Sequence, residues 1–306
     1  MGTPDFAVSS AQALLDAGNE IVAVVTVPDK QAGRGRKIHE SAVKIWAKNQ
    51  NIPIFQPHDL KDEQFCADLK SFEADIFVVV AFRILPRQIF TIPPKGTINL
   101  HGSLLPAYRG AAPINWAIIN GETETGVTTF LIDGKVDTGE TLLKESVTIA
   151  DDETFGELYN RLKTIGADLL TRTVAKWLSG EIQSFRQTGE ATKAPKITPQ
   201  VCEIEWFKSA ENIRNLVRGL APVPTAFTFY NKKRLKIFSC EAIAIRSEHP
   251  PGVVVEANKK TGMLTVATGV GLLKLNEIQL EGKKRMSVDV FLQGFQIKAG
   301  DRFGLG

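Results

Sequence analysis

The chain has 306 residues and a formal net charge of +3, with 43% apolar and 23% charged residues, which is ordinary for a globular protein. No run of about twenty apolar residues occurs, so the sequence predicts no membrane-spanning helix, and its first residues lack the layout of a signal peptide. The three cysteines are scattered, which argues against a disulfide framework and a zinc site and favours a cytoplasmic protein. This length favours two domains.

Charge is unevenly distributed along the chain. Residues 201–306 carry 16 basic and 10 acidic side chains, whereas residues 1–200 carry 21 basic and 24 acidic ones. A basic C-terminal part suits an anionic partner, although an asymmetry of this size also arises on ordinary solvated surfaces.

Strands alternate with helices through the first 180 residues, which predicts an α/β domain with a parallel sheet. The predicted helices lie at 9–17, 41–51, 61–72, 86–92, 111–120 and 154–178. The predicted strands lie at 21–27, 52–55, 75–82, 97–101, 127–132 and 141–147. The last two enclose an acidic loop at 133–139, which indicates a hairpin-like excursion. Ligands of such sheets bind at the carboxyl ends of the strands.

Periodicity disappears between residues 185 and 200, which predicts a linker between a first domain, 1–184, and a second, 201–306. The second domain begins with a predicted helix at 209–220. Short strands then recur at 226–230, 235–239, 252–255, 263–267 and 272–278. This pattern favours a small barrel or sandwich, and a barrel of the OB type commonly binds oligonucleotides.

The strand at 97–101 carries two candidate catalytic side chains, Asn99 and His101. Residues two apart in a strand project from the same face, so an amide donor and an imidazole lie side by side. Asn can stabilise a developing oxyanion and His can exchange a proton near neutral pH, which is what acyl transfer requires. A purely structural His101 remains an alternative.

Asp137 and three basic segments are further candidates, each with a simpler alternative. Asp137 is either a turn residue or a carboxylate that orients His101 and stabilises its imidazolium form. Arg34, Arg36 and Lys37 form a basic loop that is either solvated or in contact with phosphates. The same choice applies to the turn formed by Lys232, Lys233 and Arg234 and to a second basic turn at 282–285, and the two turns together suit an electrostatic groove.

The segment 99–114, NLHGSLLPAYRGAAPI, closely resembles the signature of the folate-dependent formyltransferases. GTPDFA at 2–7 and VDTG at 136–139 also occur in the order typical of that family. The resemblance implies an N-terminal Rossmann-like formyltransferase domain with a parallel sheet and a C-terminal OB-like barrel that binds tRNA. It further implies transfer of the formyl group of 10-formyltetrahydrofolate to the α-amino group of methionine on initiator tRNA. The protein is expected to act as a monomer, to need no metal and not to bind a membrane.

The resemblance also assigns roles to individual residues. Asn99, His101 and Asp137 correspond to the catalytic trio of the family. Folate is expected to contact Ser103, Leu104, Leu105 and Pro106, together with Phe82 and Ile84 in the preceding loop. The tRNA is expected to contact Arg34, Arg36 and Lys37 through its acceptor stem, and Lys232, Lys233 and Arg234 through the second domain.

Two departures from the family pattern and two alternative functions accompany these expectations. Members of the family have a β-strand ahead of GTPDFA, whereas here only Met1 precedes it, so a destabilised sheet edge is expected. The loop 81–86 is shorter than in many relatives, which affects the detail of the folate site. The alternatives are a formyltransferase for a small amine, such as an amino-sugar nucleotide or glycinamide ribonucleotide, and a non-catalytic RNA-binding protein.

Overall fold

The computed structural model describes residues 1–32 and 37–304. The chain divides into two compact units. The first comprises Met1–Pro113, Thr125–Val147 and Tyr159–Ala194. The second comprises Ile114–Glu124, Thr148–Leu158 and Pro195–Gly306.

Up to residue 194 the predicted helices and strands are present in the predicted order, and four short strands, β2, β3, β7 and β10, occur in addition. In order they are α1 (Asp5–Asp16), β1 (Val24–Val25), β2 (Lys30–Ala32), β3 (Lys37–His39), α2 (Ala42–Asn49), β4 (Ile54–Phe55), α3 (Glu63–Ser71), β5 (Phe77–Val80), α4 (Arg87–Phe90), β6 (Thr97–His101), β7 (Arg109–Gly110), α5 (Pro113–Ile119), β8 (Glu124–Leu131), β9 (Thr141–Thr148), α6 (Phe155–Ser179) and β10 (Lys193–Ala194).

The main sheet of the first unit has the order β5–β6–β8–β9. β5 and β6 are parallel, with Val79 opposite Asn99, so the loops that follow these two strands leave the same edge. β6 and β8 are antiparallel, with His101 opposite Thr128. The sheet is therefore mixed, and the prediction of a parallel arrangement holds only for its first part, because the 127–132 strand pairs antiparallel with β6.

Helix α6 packs against the face of β6 that carries Leu100 and leaves the opposite face for the candidate site. A Cβ built on Gly166 of this helix would lie 3.0 Å from a methyl of Leu100, so helix and strand approach closely there. The hydroxyl groups of Thr129 and Thr173 form a buried hydrogen bond of 2.9 Å between β8 and α6. Since side chains alternate along a strand, Asn99 and His101 lie on the face opposite Leu100.

Met1 and Gly2 lie between two strands that are otherwise separate. Gly2 N donates to Val25 O at 3.0 Å, and Val80 N donates to Met1 O at 2.9 Å. A cavity of about 380 Å³ lies beside them, lined by residues 20–25 and 72–78 among others. The predicted strand at 21–27 is regular only at Val24–Val25, the two residues that pair with β4.

The aperiodic segment that was expected to link two domains is paired with the first unit over much of its length. Phe185 exchanges two backbone hydrogen bonds of 2.8 Å with Thr141. Strand β10 pairs in parallel with β7, and residues beyond Ala194 belong to the second unit. Backbone hydrogen bonds organise this segment, and they leave no hydrophobic period in the sequence.

The second unit contains an antiparallel sheet with helices packed on it. Its further elements are α7 (Pro199–Cys202), α8 (Ala210–Leu220), β11 (Ala226–Tyr230), β12 (Lys233–Ile243), β13 (Val254–Asn258), β14 (Met263–Ala267), β15 (Leu272–Leu280), β16 (Met286–Ser287) and α9 (Val288–Gly294). The sheet order is β11–β12–β15–β14–β13, with β16 beside β15. All five strands predicted there are confirmed, and the antiparallel sheet is consistent with the expected OB-like domain.

Within residues 1–32 and 37–304, no helix combines the length and the apolar character that crossing a membrane would require.

Candidate active site

His101 lies at the end of β6 and is held from both sides of its ring. Its side chain is almost fully buried. Its Nε2 atom lies 2.9 Å from the carbonyl oxygen of Tyr108. Because a carbonyl oxygen can only accept, Nε2 carries the hydrogen of this bond. The other ring nitrogen, Nδ1, faces Asp137 at 3.8 Å from Oδ2.

The position of Asp137 is fixed by its own backbone and by Gly110. Asp137 adopts a left-handed conformation with φ of 53°, which Asp tolerates better than most residues. Its Oδ2 accepts a hydrogen bond of 2.8 Å from Gly110 N. Gly110 has φ of 129°, and a Cβ there would lie 2.5 Å from Ala194 O, so this approach requires glycine. The 3.8 Å gap to His101 Nδ1 exceeds a hydrogen bond, so the two groups are neighbours without being bonded.

Asn99 completes the predicted trio on the same strand. It is half-buried and lies opposite Phe130 of β8. Among the described residues, no hydrogen-bond partner is found for its carboxamide. The structure therefore brings Asn99, His101 and Asp137 to one edge of the sheet, with a polar donor open to a bound molecule.

Hydrogen bonds from β8 and β9 hold the loop 102–108 that follows β6. Thr128 Oγ1 donates to Ser103 O at 2.7 Å and accepts from Leu105 N at 3.1 Å. The ammonium of Lys144 donates to Leu105 O, and its partial burial lowers the pKa of this lysine. Ser103 Oγ donates to Ala107 O at 2.6 Å. The hydroxyl of Ser103 is thus engaged within the loop.

The remaining residues predicted to bind folate differ in accessibility. Leu105 and Pro106 are buried, and Leu104 is half-buried. In the loop after β5, Ile84 is 78% exposed and Phe82 is half-buried. Since β5 and β6 are parallel neighbours, both loops border the edge at which Asn99 lies. The apolar surface of Phe82 and Ile84 suits a flat aromatic ligand.

The basic residues predicted to bind tRNA are only partly described. Arg34 and Arg36 lie outside the described residues, and of Lys37 only the backbone, in β3, is described. Lys232, Lys233 and Arg234 are exposed at the turn between β11 and β12. The guanidinium of Arg234 lies 4.4 Å from the centre of the Phe227 ring.

The two basic turns of the second unit are neighbours. Leu235 of β12 lies opposite Leu280 of β15, and Glu281 N donates to Arg234 O at 2.8 Å. Lys283 and Lys284 are exposed in the second turn, whereas Arg285 is paired with Glu277. The structure therefore concentrates lysine side chains of both turns at one end of the sheet.

Three residues near the site are absent from the sequence-based prediction: Lys144, Gln187 and Thr192. Gln187 lies in the segment expected to be a linker, and its amide touches the loops of both Arg109 and Asp137. Thr192 Oγ1 accepts a hydrogen bond of 2.8 Å from Tyr108 N. Only the alternating pattern of β9 could have directed attention to Lys144, and nothing in the aperiodic segment distinguishes the other two.

Across residues 1–32 and 37–304 there is no group of three or more His, Cys, Asp or Glu side chains placed to hold a metal ion.

Known proteins resemble the chain over both units. Residues 1–174 match the family described as "Formyl transferase", and residues 196–296 match "Formyl transferase, C-terminal domain". A "Methionyl-tRNA formyltransferase" of Alkaliphilus oremlandii is 45% identical, covering 99% of this chain and 98% of the relative. Another, from Porphyromonas gingivalis strain W83, is also 45% identical, covering 98% of this chain and 95% of the relative.

Solved structures show a similar fold at low sequence identity. WlaRD, a sugar 3N-formyl transferase, superposes with a TM-score of 0.66 at 21% identity, over 92% of this chain and 97% of that chain. An N-formyltransferase from Helicobacter canadensis gives a TM-score of 0.64 at 19% identity, over 93% of this chain and 97% of that chain. The family matches and the close relatives show that the chain belongs to the formyl transferase family.

Proposed function

We propose that this chain transfers the formyl group from N10 of 10-formyltetrahydrofolate to the α-amino group of methionine carried by initiator tRNA. The observation that carries the proposal is 45% identity over nearly the whole length to a methionyl-tRNA formyltransferase. The Asn99, His101 and Asp137 arrangement supports it, because acyl transfer needs a donor to an oxyanion and a group that manages a proton.

In the proposed reaction the folate, when bound, supplies an electrophilic formyl carbon, and the methionyl amine displaces N10 while one proton passes from the amine to N10. Asn99 donates its amide hydrogen to the formyl oxygen as negative charge develops there. The imidazolium of His101 stabilises the same charge from the neighbouring position on β6. Asp137 holds that imidazolium and assists the transfer of the amine proton.

The residues around the trio fit a folate ligand. Ile84 and Phe82 offer accessible apolar surface, and the adjoining loop is fixed by Thr128 and Lys144 before any ligand arrives. A preformed wall of this kind lowers the entropy lost on binding. We infer that the folate lies along the Phe82 and Leu104 loops with its formyl group toward Asn99.

The second unit supports a nucleic-acid substrate. Exposed Lys232 and Lys233 beside a second basic turn provide a site for tRNA phosphates, and the Arg34 loop provides another. We further infer that the protein acts as a monomer in the cytoplasm, where initiator tRNA is charged. Its three free cysteines fit a reducing compartment.

The proposal is tested with the purified chain, 10-formyltetrahydrofolate and initiator tRNA charged with methionine. We expect formylmethionyl-tRNA to form catalytically, measured by mass spectrometry of the released amino acid. Parallel reactions contain an amino-sugar nucleotide or glycinamide ribonucleotide as acceptor. Turnover of a small amine alone would assign the other substrate class, and tRNA binding without any formyl transfer would indicate a non-catalytic RNA-binding protein.

A further inference from the structure

The Gln187 carboxamide joins two loops that border the proposed catalytic trio. Its Nε2 donates to the backbone oxygens of Asp137, at 3.0 Å, and Gly139, at 2.8 Å. Its Oε1 accepts from Arg109 Nη2 at 2.7 Å and from Arg109 Nε at 3.2 Å. The orientation of the amide is determined by chemistry, because carbonyl oxygens can only accept and a guanidinium can only donate.

The loop that Gln187 binds is one that needs external support. Asp137 is held in the left-handed conformation, with φ of 53°, which non-glycine residues keep only where the surrounding structure supports it. A Cβ on Gly139 would lie 1.7 Å from Leu131 O, so the loop also turns back against its own strand. The two hydrogen bonds from Gln187 fasten the backbone on both sides of Thr138.

The other end of the amide fixes the segment that aims the Asp137 carboxylate. Arg109 adjoins Gly110, whose N–H donates to Asp137 Oδ2 at 2.8 Å. Arg109 also adjoins Tyr108, whose carbonyl oxygen contacts His101 Nε2. Gln187 therefore ties the backbone carrying Asp137 to the segment that contacts both Asp137 and His101.

We propose that Gln187 is a positioning residue, which sets the placement of the Asp137 carboxylate against His101 by clamping the Asp137–Gly139 loop to Arg109. The inference rests on the proposed function only for its kinetic consequence. The effect of Gln187 on the Asp137–Gly139 loop can be measured without any substrate.

The test compares Gln187→Met, which removes all four hydrogen bonds at similar volume, with Gln187→Glu, which keeps an acceptor for Arg109 but loses the donor to both carbonyls. We expect each to lower kcat by about ten- to a hundredfold, as a displaced catalytic group does, with KM for both substrates within about twofold. Gln12→Met is the matched control, since Gln12 is also a half-buried bridging amide, bonded to Asp16 and Trp46. It should leave kcat unchanged.

A double-mutant cycle separates positioning from a general structural role. In an Asp137→Ala background, followed by single-turnover kinetics, Gln187→Met should lower the rate by less than about twofold, because the group that it positions is gone. Independent, multiplicative losses would overturn the inference, as would full kcat in both Gln187 variants.

Hydrogen exchange of the Gly110 amide provides a readout that needs no activity. Gln187→Met should accelerate exchange at Gly110 at least tenfold, because its acceptor, Asp137 Oδ2, is no longer held. Unchanged exchange would exclude the clamp. If the wild-type chain formylates no tRNA while Gln187→Met still accelerates exchange at Gly110, the proposed function is overturned and the clamp stands.

Discussion

At the scale of single residues, the two neighbours of His101 fix the orientation of its ring. The Tyr108 carbonyl takes the Nε2 hydrogen, so a second proton can lie only on Nδ1, which faces the Asp137 carboxylate at 3.8 Å. We infer that His101 acts as an electrostatic stabiliser that Asp137 keeps in place.

The trio can be tested by single substitutions. Asn99→Ala, His101→Ala and Asp137→Ala should each reduce kcat by about a hundred- to a thousandfold, the usual effect of removing one group that stabilises an oxyanion. Affinity for tRNA, measured by filter binding, should change little. His249→Ala, at an exposed histidine of the second unit, is the control. Near-normal turnover of any of the three variants would remove that residue from the proposed mechanism.

Lys144 allows a separate test of the predicted folate loop. Lys144→Met removes the donor to Leu105 O and should let the loop 103–106 relax. We expect KM for 10-formyltetrahydrofolate to rise by about three- to tenfold, because the loop must then be ordered when folate binds, while KM for tRNA is unchanged. Lys176→Met, at an exposed lysine of α6, is the control. An unchanged KM for folate would contradict a role of this loop in folate binding.

At the scale of elements, the first unit combines firmly held loops with a weakly filled gap between β1 and β5. Only Met1 and Gly2, among the described residues, bridge these strands, and a cavity of about 380 Å³ adjoins them. The α-amino group donates to Val78 O at 2.7 Å, and burial lowers its pKa to about 5. Met1 as a whole residue is half-buried.

In a chain prepared with Met1 as its first residue, this amine makes the stability of the first unit dependent on pH. The unfolded amine takes up a proton as the pH falls below 8.0, whereas the folded amine does so only near 5. Between these values protonation favours the unfolded chain, so the free energy of unfolding should fall with decreasing pH by up to about 1.4 kcal/mol per unit. Hydrogen exchange of β5 amides, corrected for intrinsic rates, measures this slope.

Acetylation of the N-terminus is the control for that pH dependence. The acetyl group removes the titrating proton, and the adjoining cavity gives it room. The acetylated protein should lose the slope between pH 5 and 8. Equal slopes for the free and acetylated forms would show that other groups cause the pH dependence.

At the scale of the whole molecule, the excess of basic residues lies in the part of the sequence beyond residue 200, which suits the proposed tRNA substrate. The part beyond residue 200 has an excess of six basic residues, with 16 against 10 acidic ones. In the fold, two basic turns that are about fifty residues apart in the sequence become neighbours at the ends of β12 and β15. A substrate that carries many phosphates makes use of this clustering, whereas a small amine does not.

The basic turns predict a salt-dependent tRNA affinity. Lys232→Ala combined with Lys233→Ala should weaken binding and reduce the slope of log K against log salt by up to about 1.8, if each lysine contacts one phosphate. Lys259→Ala combined with Lys260→Ala, at the exposed turn between β13 and β14, is the matched control with the same change of charge. Equal slopes for the two double variants would indicate that only net charge matters.

Most secondary structure of the chain was predictable, because apolar side chains repeat with the period of the element that they bury. The strand with Asn99 and His101, the helices α2, α3 and α6, and the strands of the second unit were all found in this way. The antiparallel return of β8 and the pairing of residues 185–194 were not found, since backbone hydrogen bonds leave no period in the sequence.

By itself, the sequence determined the chemistry at the edge of the sheet: an Asn and a His two apart on a strand, a glycine-bounded acidic loop, and the motif that links them to the formyltransferases. Only the tertiary structure decided how these groups are held. Gly110 N donates a hydrogen bond to the Asp137 carboxylate, and Gln187 donates one to the Asp137 backbone. Thr128 and Lys144 form hydrogen bonds with the loop that follows the strand of Asn99. These partners are 23 to 50 residues away in the sequence. No local pattern encodes such contacts, because folding alone brings their atoms within hydrogen-bonding distance.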